Sequence, residues 1–261
     1  MNDDAISPVV AVMMILVVIV TLFSIWNATY LPDLKQSAEV GHIREVEASF
    51  HTIDENIRNM IVLRRTGVMT VTVPLGGGDI VIHQSRSGGN LTLGHPEKVI
   101  TVENSTVTRE TSVIPITYSP VSNFWQNIGY EWRYGIVNVT KGSVSTPRFY
   151  GNYSQAKDDW FTGMVNREGQ EIFLANIIAA PHLSVSGNGI AQVRMEGQPG
   201  IVFIADVGNP INLTVDTSTE YGKKVNESVS SELYGYWNQA EGRYSITDSS
   251  VSLYNLTISI R

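Results

Sequence analysis

The stretch that decides the fold is residues 5–26, AISPVVAVMMILVVIVTLFSIW, near the start of a 261-residue chain. Every side chain in residues 9–20 is apolar, and no charged residue occurs between Asp4 and Asp33. As an α-helix, residues 6–26 rise about 32 Å, which matches the ~30 Å hydrocarbon thickness of a bilayer. The stretch therefore predicts a helix that is long and apolar enough to span a membrane.

Three kinds of N-terminal segment share this composition: a removed secretory signal, a plain membrane anchor, and a prepilin-type leader followed by a retained helix. A secretory signal begins with basic residues, has a shorter apolar core and ends at a small-residue cleavage site. This chain begins with Met-Asn-Asp-Asp, and its apolar run is followed by Asn27-Ala28-Thr29-Tyr30, a poor cleavage site. The pattern disfavours the signal and leaves the anchor and the retained helix.

The run Ala5-Ile6-Ser7-Pro8-Val9-Val10 resembles the start of archaeal type IV pilins and archaellin-like proteins, and the resemblance is concentrated in the N-terminal segment. It implies that residues 1–4 are a leader and that a prepilin peptidase cuts between Asp4 and Ala5. The helix would be kept, and an assembly machinery would pack it into a filament core. The residues expected to contact neighbouring helices are Pro8, Val9, Val12, Met13, Leu16, Val20 and Phe23.

Eight Asn-x-Ser/Thr acceptors indicate an exported, N-glycosylated surface, since random placement of these residues gives roughly three. They are headed by Asn27, Asn90, Asn104, Asn138, Asn152, Asn212, Asn226 and Asn255. Their spread along the chain puts everything beyond the apolar helix on one side of the membrane, the outside. The enrichment of Asn, Ser and Thr in turns and strand edges gives an alternative explanation for part of this number.

Residues 27–32 are expected to kink or briefly interrupt the helix, with Pro32 starting a second helical half over residues 33–63. In that half an apolar stripe repeats at spacings of three and four, typical of a helix packed on another surface. The stripe consists of Ile43, Val46, Phe50, Ile53, Ile57 and Met60. The helix is expected to run to about Leu63 and to stop near Gly67.

From residue 68 onward the apolar period changes to two, which predicts strands. Residues 69–73 and 80–82, separated by Gly76-Gly77-Gly78-Asp79, read as a hairpin. Further strands are predicted at residues 99–102, 113–118, 135–139, 190–195, 200–204, 211–215 and 250–260. A helix is predicted within residues 223–239, with Val225, Val229, Leu233 and Tyr236 or Trp237 on one face, and residues 158–178 read as a short helix or loop. The chain is thus predicted to be α+β, with a sandwich-like antiparallel head over residues 65–261.

The candidate chemistry in the head is sparse. The chain has no Cys, which excludes disulfides. Its formal charge of -7 disfavours binding to the phosphates of nucleic acids. No His-Glu-x-x-His pair, P-loop or Gly-x-Ser-x-Gly elbow occurs, so no catalytic, metal or cofactor residue is predicted. The aromatic stretch 124–134 is interpreted as a core strand, with ligand stacking as the alternative.

The favoured hypothesis is a structural subunit of an archaeal type IV pilus-like surface filament, a helical homopolymer used for adhesion or attachment. It would lie in the cytoplasmic membrane before assembly and would carry N-linked glycans outside. The alternative is a non-polymerising membrane-anchored surface adhesin or an accessory archaellum protein. A surface hydrolase on a membrane stalk is a third class, although no enzymatic activity is expected.

Overall fold

A computed structural model describes residues 8–77, 87–122, 126–148, 160, 163–181, 183–206, 208–218 and 220–261. In these residues the helices are α1 (Pro8–Val62) and α2 (Glu220–Glu232), followed by a 3₁₀ turn (Tyr234–Tyr236). The strands are β1 (Gly67–Pro74), β2 (Gly88–Leu93), β3 (Glu97–Glu103), β4 (Thr108–Val113), β5 (Ile116–Ser122), β6 (Ile128–Arg133), β7 (Ile136–Lys141), β8 (Val144–Pro147), β9 (Val165–Glu168), β10 (Glu171–Ala179), β11 (Ser184–Gly187), β12 (Ile190–Ile204), β13 (Ile211–Val215), β14 (Trp237–Asn238), β15 (Arg243–Ile246) and β16 (Ser250–Ile260). The predicted α+β architecture, a long N-terminal helix followed by a β-rich head, is confirmed.

Helix α1 is continuous, and the interruption expected at residues 27–32 is absent. Pro32 lies inside the helix instead of beginning a second one. A proline has no amide hydrogen, so the Ala28 carbonyl lacks its usual helical donor, yet the helix continues through Pro32. The helix ends as a Schellman motif: Arg64 adopts a positive φ of 48° and the Arg65 amide donates to Met60 O at 3.0 Å.

The C-terminal part of α1 is buried along one face. The predicted stripe is confirmed, because Val46, Phe50, Ile53, Ile57 and Met60 are all buried, and Ile43 packs against the same core. The stripe also extends further towards the N-terminus than predicted, through three polar residues. Lys35, Glu39 and His42 continue it at spacings of four and three, and all three are buried.

The described strands form three sheets. The first has the order β1-β12-β16-β10-β9, the second β11-β2-β5-β6-β7-β8, and the third β14-β15-β13-β3-β4. Helix α1 packs on β1, β12 and β16 of the first sheet and on β6 and β7 of the second. The buried apolar residues of α1, α2 and all three sheets form one continuous core.

Several predicted strands are present, whereas the predicted strand 113–118 is divided between the end of β4 and the start of β5. β13 and β16 match the predicted residues 211–215 and 250–260. The predicted hairpin partner of β1, residues 80–82, lies outside the described residues; β1 pairs with β12, from Gly67 opposite Gly197 to Pro74 opposite Ile190. Residues 190–204 form one long strand with a bulge between Pro199 and Val202, instead of two strands.

β10 is the longest of the strands that the sequence analysis missed, and it occupies the second part of the region read as a short helix or loop. In the first part of that region, the described residues Trp160, Gly163 and Met164 are helical. β10 pairs parallel with β16 and antiparallel with β9. Its residues Ile172, Leu174, Ala175 and Ile177 are buried, so the apolar run has no polar alternation. A strand covered on both faces loses the period of two, and periodicity alone does not distinguish it from a buried helix.

Two smaller features complete the head. Val225 and Val229 of α2 and Leu233 directly after it are buried in the core, as predicted. The helix ends at Glu232, before the predicted residue 239, so Tyr236 lies in the 3₁₀ turn and Trp237 in β14. The first and third sheets are joined at Ser112 of β4, whose amide donates to Asn176 Oδ1 on β10 at 2.8 Å. A polar side chain thus satisfies a buried backbone donor where two sheets meet.

Candidate functional site

The candidate functional site is the free half of α1, defined as residues 8–34, in contrast to the docked half, residues 35–62. At 1.5 Å per residue the free half extends about 40 Å from the head. Its large apolar side chains from Val10 to Trp26 are 39–65% exposed, and none is buried. Apolar area of this extent is unstable in water and indicates a lipid or protein environment.

The polar side chains within the free half satisfy their own hydrogen bonds. Thr21 Oγ1 lies 2.9 Å from both Val17 O and Val18 O, Ser24 Oγ donates to Val20 O at 2.7 Å, and Thr29 Oγ1 to Ile25 O at 2.8 Å. These bonds pair the hydroxyls of Thr21, Ser24 and Thr29 with backbone carbonyls of the same helix. The segment is therefore compatible with an apolar environment, which requires internal pairing of polar groups.

Aromatic side chains mark the end of the apolar run that is nearer the head. The rings of Phe23 and Trp26 have centroids 6.0 Å apart, and those of Trp26 and Tyr30 are 5.9 Å apart. Spacings of three and four residues place the three rings on one face of α1. Trp and Tyr are enriched where a membrane helix meets the aqueous phase, which fits their position between the apolar run and Asp33.

The structure places the predicted assembly residues on this free half without singling them out. Val12, Met13, Leu16, Val20 and Phe23 are 54–64% exposed. Pro8 begins α1, Val9 follows it, and their side chains lie outside the described residues, as do Asp4 and Ala5 of the expected processing bond. Neighbours on other faces, such as Ile15, Ile19 and Leu22, are equally exposed, so exposure does not identify one contact face.

A polar junction holds α1 where it enters the head. His42 Nε2 lies 2.9 Å from the Tyr118 hydroxyl, which donates to Leu75 O at 3.2 Å. Both rings are buried, and burial raises the pKa of Tyr118 well above its ordinary value. The neutral phenol is therefore the stable form, and it fixes the helix to β5 and to the end of β1. The sequence did not reveal this pair, because its members are 76 residues apart.

A second polar group ties the docked half to β6. The Trp132 indole donates to Asp54 Oδ1 at 2.8 Å, and Arg58 Nε donates to Asp54 Oδ2 at 2.8 Å. Arg58 also donates to Gly135 O at 2.6 Å. Trp132 is fully buried and Tyr130 nearly so, which confirms the core-strand interpretation for the described part of the aromatic stretch.

Burial raises the pKa of Asp54 above its ordinary value of 3.8, and the positive charge of Arg58 opposes that shift. The carboxylate accepts hydrogen bonds from a helix neighbour and from a strand residue. Asp54 is therefore a structural connection between helix and sheet.

The predicted glycosylation sites occupy different environments. Asn104 lies in the β3–β4 turn, where Oδ1 accepts from the amides of Thr106 and Val107, beside exposed Ser105 and Thr106. Asn90, Asn138, Asn212 and Asn255 lie in strands and are partly buried; Asn255 Oδ1 accepts from Asn176 at 2.9 Å. Asn27 and Asn226 lie on helices, and Asn152 lies outside the described residues.

Among the residues that the structure describes, no group of three His, Asp or Glu side chains is arranged to hold a metal ion. The absence of catalytic and cofactor residues stays a prediction from the sequence. In comparisons with known proteins, no family model, no curated protein and no solved structure matches this chain.

Proposed function

We propose that this chain is a structural subunit of an archaeal type IV pilus-like surface filament, polymerising through its N-terminal helices with the β-rich head exposed outside. The observation that carries the proposal is the division of one continuous helix. Residues 8–34 expose apolar side chains over a bilayer length, and residues 35–62 are fixed into the head. A helix of this design both sits in a membrane and presents a long side to neighbouring copies.

Assembly in this proposal transfers the free half from lipid into a bundle of identical helices. Lipid tails are as apolar as Val or Leu, so the gain comes from close packing of side chains and not from the hydrophobic effect. The β-branched and Met side chains of residues 9–20 supply dense contact surface on every face of the helix. Exposure on every face of the free half fits a core in which each helix touches several others.

Processing and surface location belong to the same proposal. Cleavage between Asp4 and Ala5 by a prepilin peptidase would leave the apolar helix at the mature N-terminus. The subunit would reside in the cytoplasmic membrane and then join an extracellular filament through an assembly machinery. N-linked glycans on the head would face solvent, and Asn104 lies in a turn beside the exposed residues Ser105 and Thr106.

The alternative function is a membrane-anchored surface adhesin or accessory archaellum protein that does not polymerise. The internally paired hydroxyls and the aromatic residues near Asp33 favour a membrane helix and serve either function. The two functions differ in what they require of residues 9–20. An anchor needs only hydrophobicity, whereas a packed filament core also needs side chains of matching shape.

The experiment compares substitutions that keep the helix apolar with ones that add charge. Val12→Asp should prevent both membrane insertion and fibres, while Val144→Asp, at a head valine of matching exposure, should prevent neither; the two are 64% and 63% exposed. Val12→Phe and Leu16→Ala stay apolar, so both should still insert. Sheared cell-surface material is then pelleted and imaged by electron microscopy, and the mature N-terminus is determined by mass spectrometry.

The proposal predicts fibres whose subunits begin at Ala5 and whose yield falls in Val12→Phe and Leu16→Ala. Material that never sediments as fibres and retains Met1 would establish the anchor instead. Fibres unaffected by either apolar substitution would refute packing through residues 9–20.

A further inference from the structure

A pocket of about 210 Å³ lies on the head between α2 and the β14–β15 hairpin. Its lining consists of Asn226, Ser230, Tyr234, Trp237 and Tyr244. α2 contributes the amide and the hydroxyl, the 3₁₀ turn contributes Tyr234, and the hairpin contributes the other two rings. The pocket belongs to the third sheet and involves no residue of α1.

Two of the rings are unusually exposed for their size. Tyr234 is 84% exposed and Trp237 is 47% exposed, whereas Tyr244 beneath them is buried. Trp237 packs edge-on against Tyr244, with centroids 4.9 Å apart and planes at 61°. One side of the indole is thus held by the core, which fixes its orientation, and the remaining surface stays open to solvent.

Polar groups complete the pocket without adding charge. The Tyr244 hydroxyl donates to Asn226 Oδ1 at 3.3 Å. Ser230 lies one turn further along α2 and lines the same opening; its hydroxyl donates to Glu227 O at 2.8 Å, so it can serve a ligand as a hydrogen-bond acceptor. None of the five lining residues is ionisable at neutral pH. An open aromatic surface beside neutral amide and hydroxyl groups matches a pyranose ring, whose C–H face packs on aromatic rings and whose hydroxyls form hydrogen bonds.

We propose that this pocket binds a neutral pyranose residue, with Trp237 and Tyr234 as the packing surface and Asn226 and Ser230 as hydrogen-bonding groups. The proposal does not require polymerisation. Two sources supply the same chemistry: a saccharide from outside, or a glycan attached to Asn226 itself, which heads the acceptor Asn226-Glu227-Ser228. A glycan in the second case would lie against its own protein surface.

The test uses the full-length chain in a zwitterionic detergent, because sugar-headed detergents would compete for the pocket. Ser228→Ala removes the acceptor but keeps the Asn226 side chain, so the pocket is free of an attached glycan. This variant is titrated with cellotriose, chitotriose and maltotriose, and binding is measured by saturation-transfer NMR and calorimetry. We expect at least one trisaccharide to bind, and Trp237→Ala to weaken that binding by at least about tenfold.

Two controls separate binding from folding. Trp237→Phe keeps an aromatic ring and should retain more affinity than Trp237→Ala. Tyr234→Ala removes a ring that contributes little to the core, so its unfolding midpoint should not change while its affinity falls. Unfolding curves of all variants establish that each is folded under the conditions of the titration.

Glycopeptide mass spectrometry of the wild-type chain distinguishes the two sources. An occupied Asn226, with binding seen only after Ser228→Ala, identifies the attached glycan as the ligand. An unoccupied Asn226 with binding in the wild type identifies an external saccharide. The proposal is overturned if Ser228→Ala binds none of the three sugars, or if Trp237→Ala binds them as tightly as its parent.

Discussion

The two halves of α1 have the same secondary structure but opposite surroundings. In the docked half one face is covered by two sheets, and Phe50, Ile53 and Ile57 have no exposed surface. In the free half every face is open, and Leu16, Phe23 and Ile25 are 60–61% exposed. The contrast shows that the helix continues well beyond the part that packs against the head. The docked half fixes α1 to the head, and the free half leaves its apolar surface open to lipid or protein, so α1 is divided into two tasks.

The largest expected effect is on the free energy of unfolding, and it comes from making the same Phe→Ala substitution in each half of α1. Phe50→Ala should lower the free energy of unfolding of the head by about 3–5 kcal/mol, because it empties a site between α1 and the Tyr130 ring, 5.9 Å away. Phe23→Ala should leave that free energy unchanged. Denaturant unfolding of the full-length chain in detergent, followed by Trp fluorescence, measures both.

The same pair should behave in the opposite way in assembly. Phe23→Ala removes side-chain contact from the free half and should reduce fibre yield, provided that the filament proposal holds. If Phe23→Ala destabilised the head as strongly as Phe50→Ala, the division of α1 into two tasks would be wrong.

A second prediction concerns Pro32, which lies near the boundary between the halves. Pro32→Ala restores the amide donor for Ala28 O and should stabilise the local helix by up to about 3 kcal/mol. Amide hydrogen exchange over residues 28–36 should slow, while exchange in the head strands should not change. The measurement is mass-spectrometric exchange on the full-length chain.

Asp33→Ala is the matched control, since it alters the adjacent exposed residue without adding a backbone donor. Exchange that is unchanged in Pro32→Ala would mean that Pro32 does not weaken the helix. If amide exchange in the head strands also slowed, the helix around Pro32 and the head would not be independently stable.

The fold was predictable from the sequence where burial is one-sided. The stripe from Val46 to Met60 follows the helical period, and β13 and β16 alternate cleanly, so each has a local signal. β10 has no such signal, because it is covered on both faces. β1 pairs with β12, more than a hundred residues away, and no local signal in the sequence indicates so distant a partner.

The sites were less predictable than the fold. The apolar free half is evident from composition alone, but the polar start of the docked half is not, since Lys35, Glu39 and His42 resemble a solvated helix face. Their burial depends on strands that are distant in the sequence. The rings of Trp237 and Tyr234 gave no motif either, because their exposure is determined by the 3₁₀ turn and the β14–β15 hairpin.

The third prediction compares the polar junction with the apolar stripe. Tyr118→Phe removes the hydroxyl that contacts His42 and Leu75 O, leaving buried polar atoms with one partner fewer. The free energy of unfolding should fall by about 1–3 kcal/mol, less than for Phe50→Ala. Tyr234→Phe, which removes a solvated hydroxyl, should have no effect, and a loss of equal size in both variants would contradict a special role for the junction.

The smallest expected effect is a pH dependence in the docked half. Burial raises the pKa of Asp54 above 3.8, so between 3.8 and the higher folded value the native state binds more protons than the unfolded state. The contribution of Asp54 to stability is therefore fully present below pH 3.8 and is lost as the pH rises through the folded pKa. Asp54→Asn lacks this change, so wild-type stability should decline relative to the variant over that window and then run parallel.

Asp216→Asn is the opposite control, because hydrogen bonds from Ser218 lower the pKa of Asp216, and its contribution should be lost as the pH falls. Urea unfolding from pH 3 to pH 7 measures all three chains, and identical pH profiles for wild type and Asp54→Asn would show that ionisation of Asp54 does not affect the helix–sheet contact.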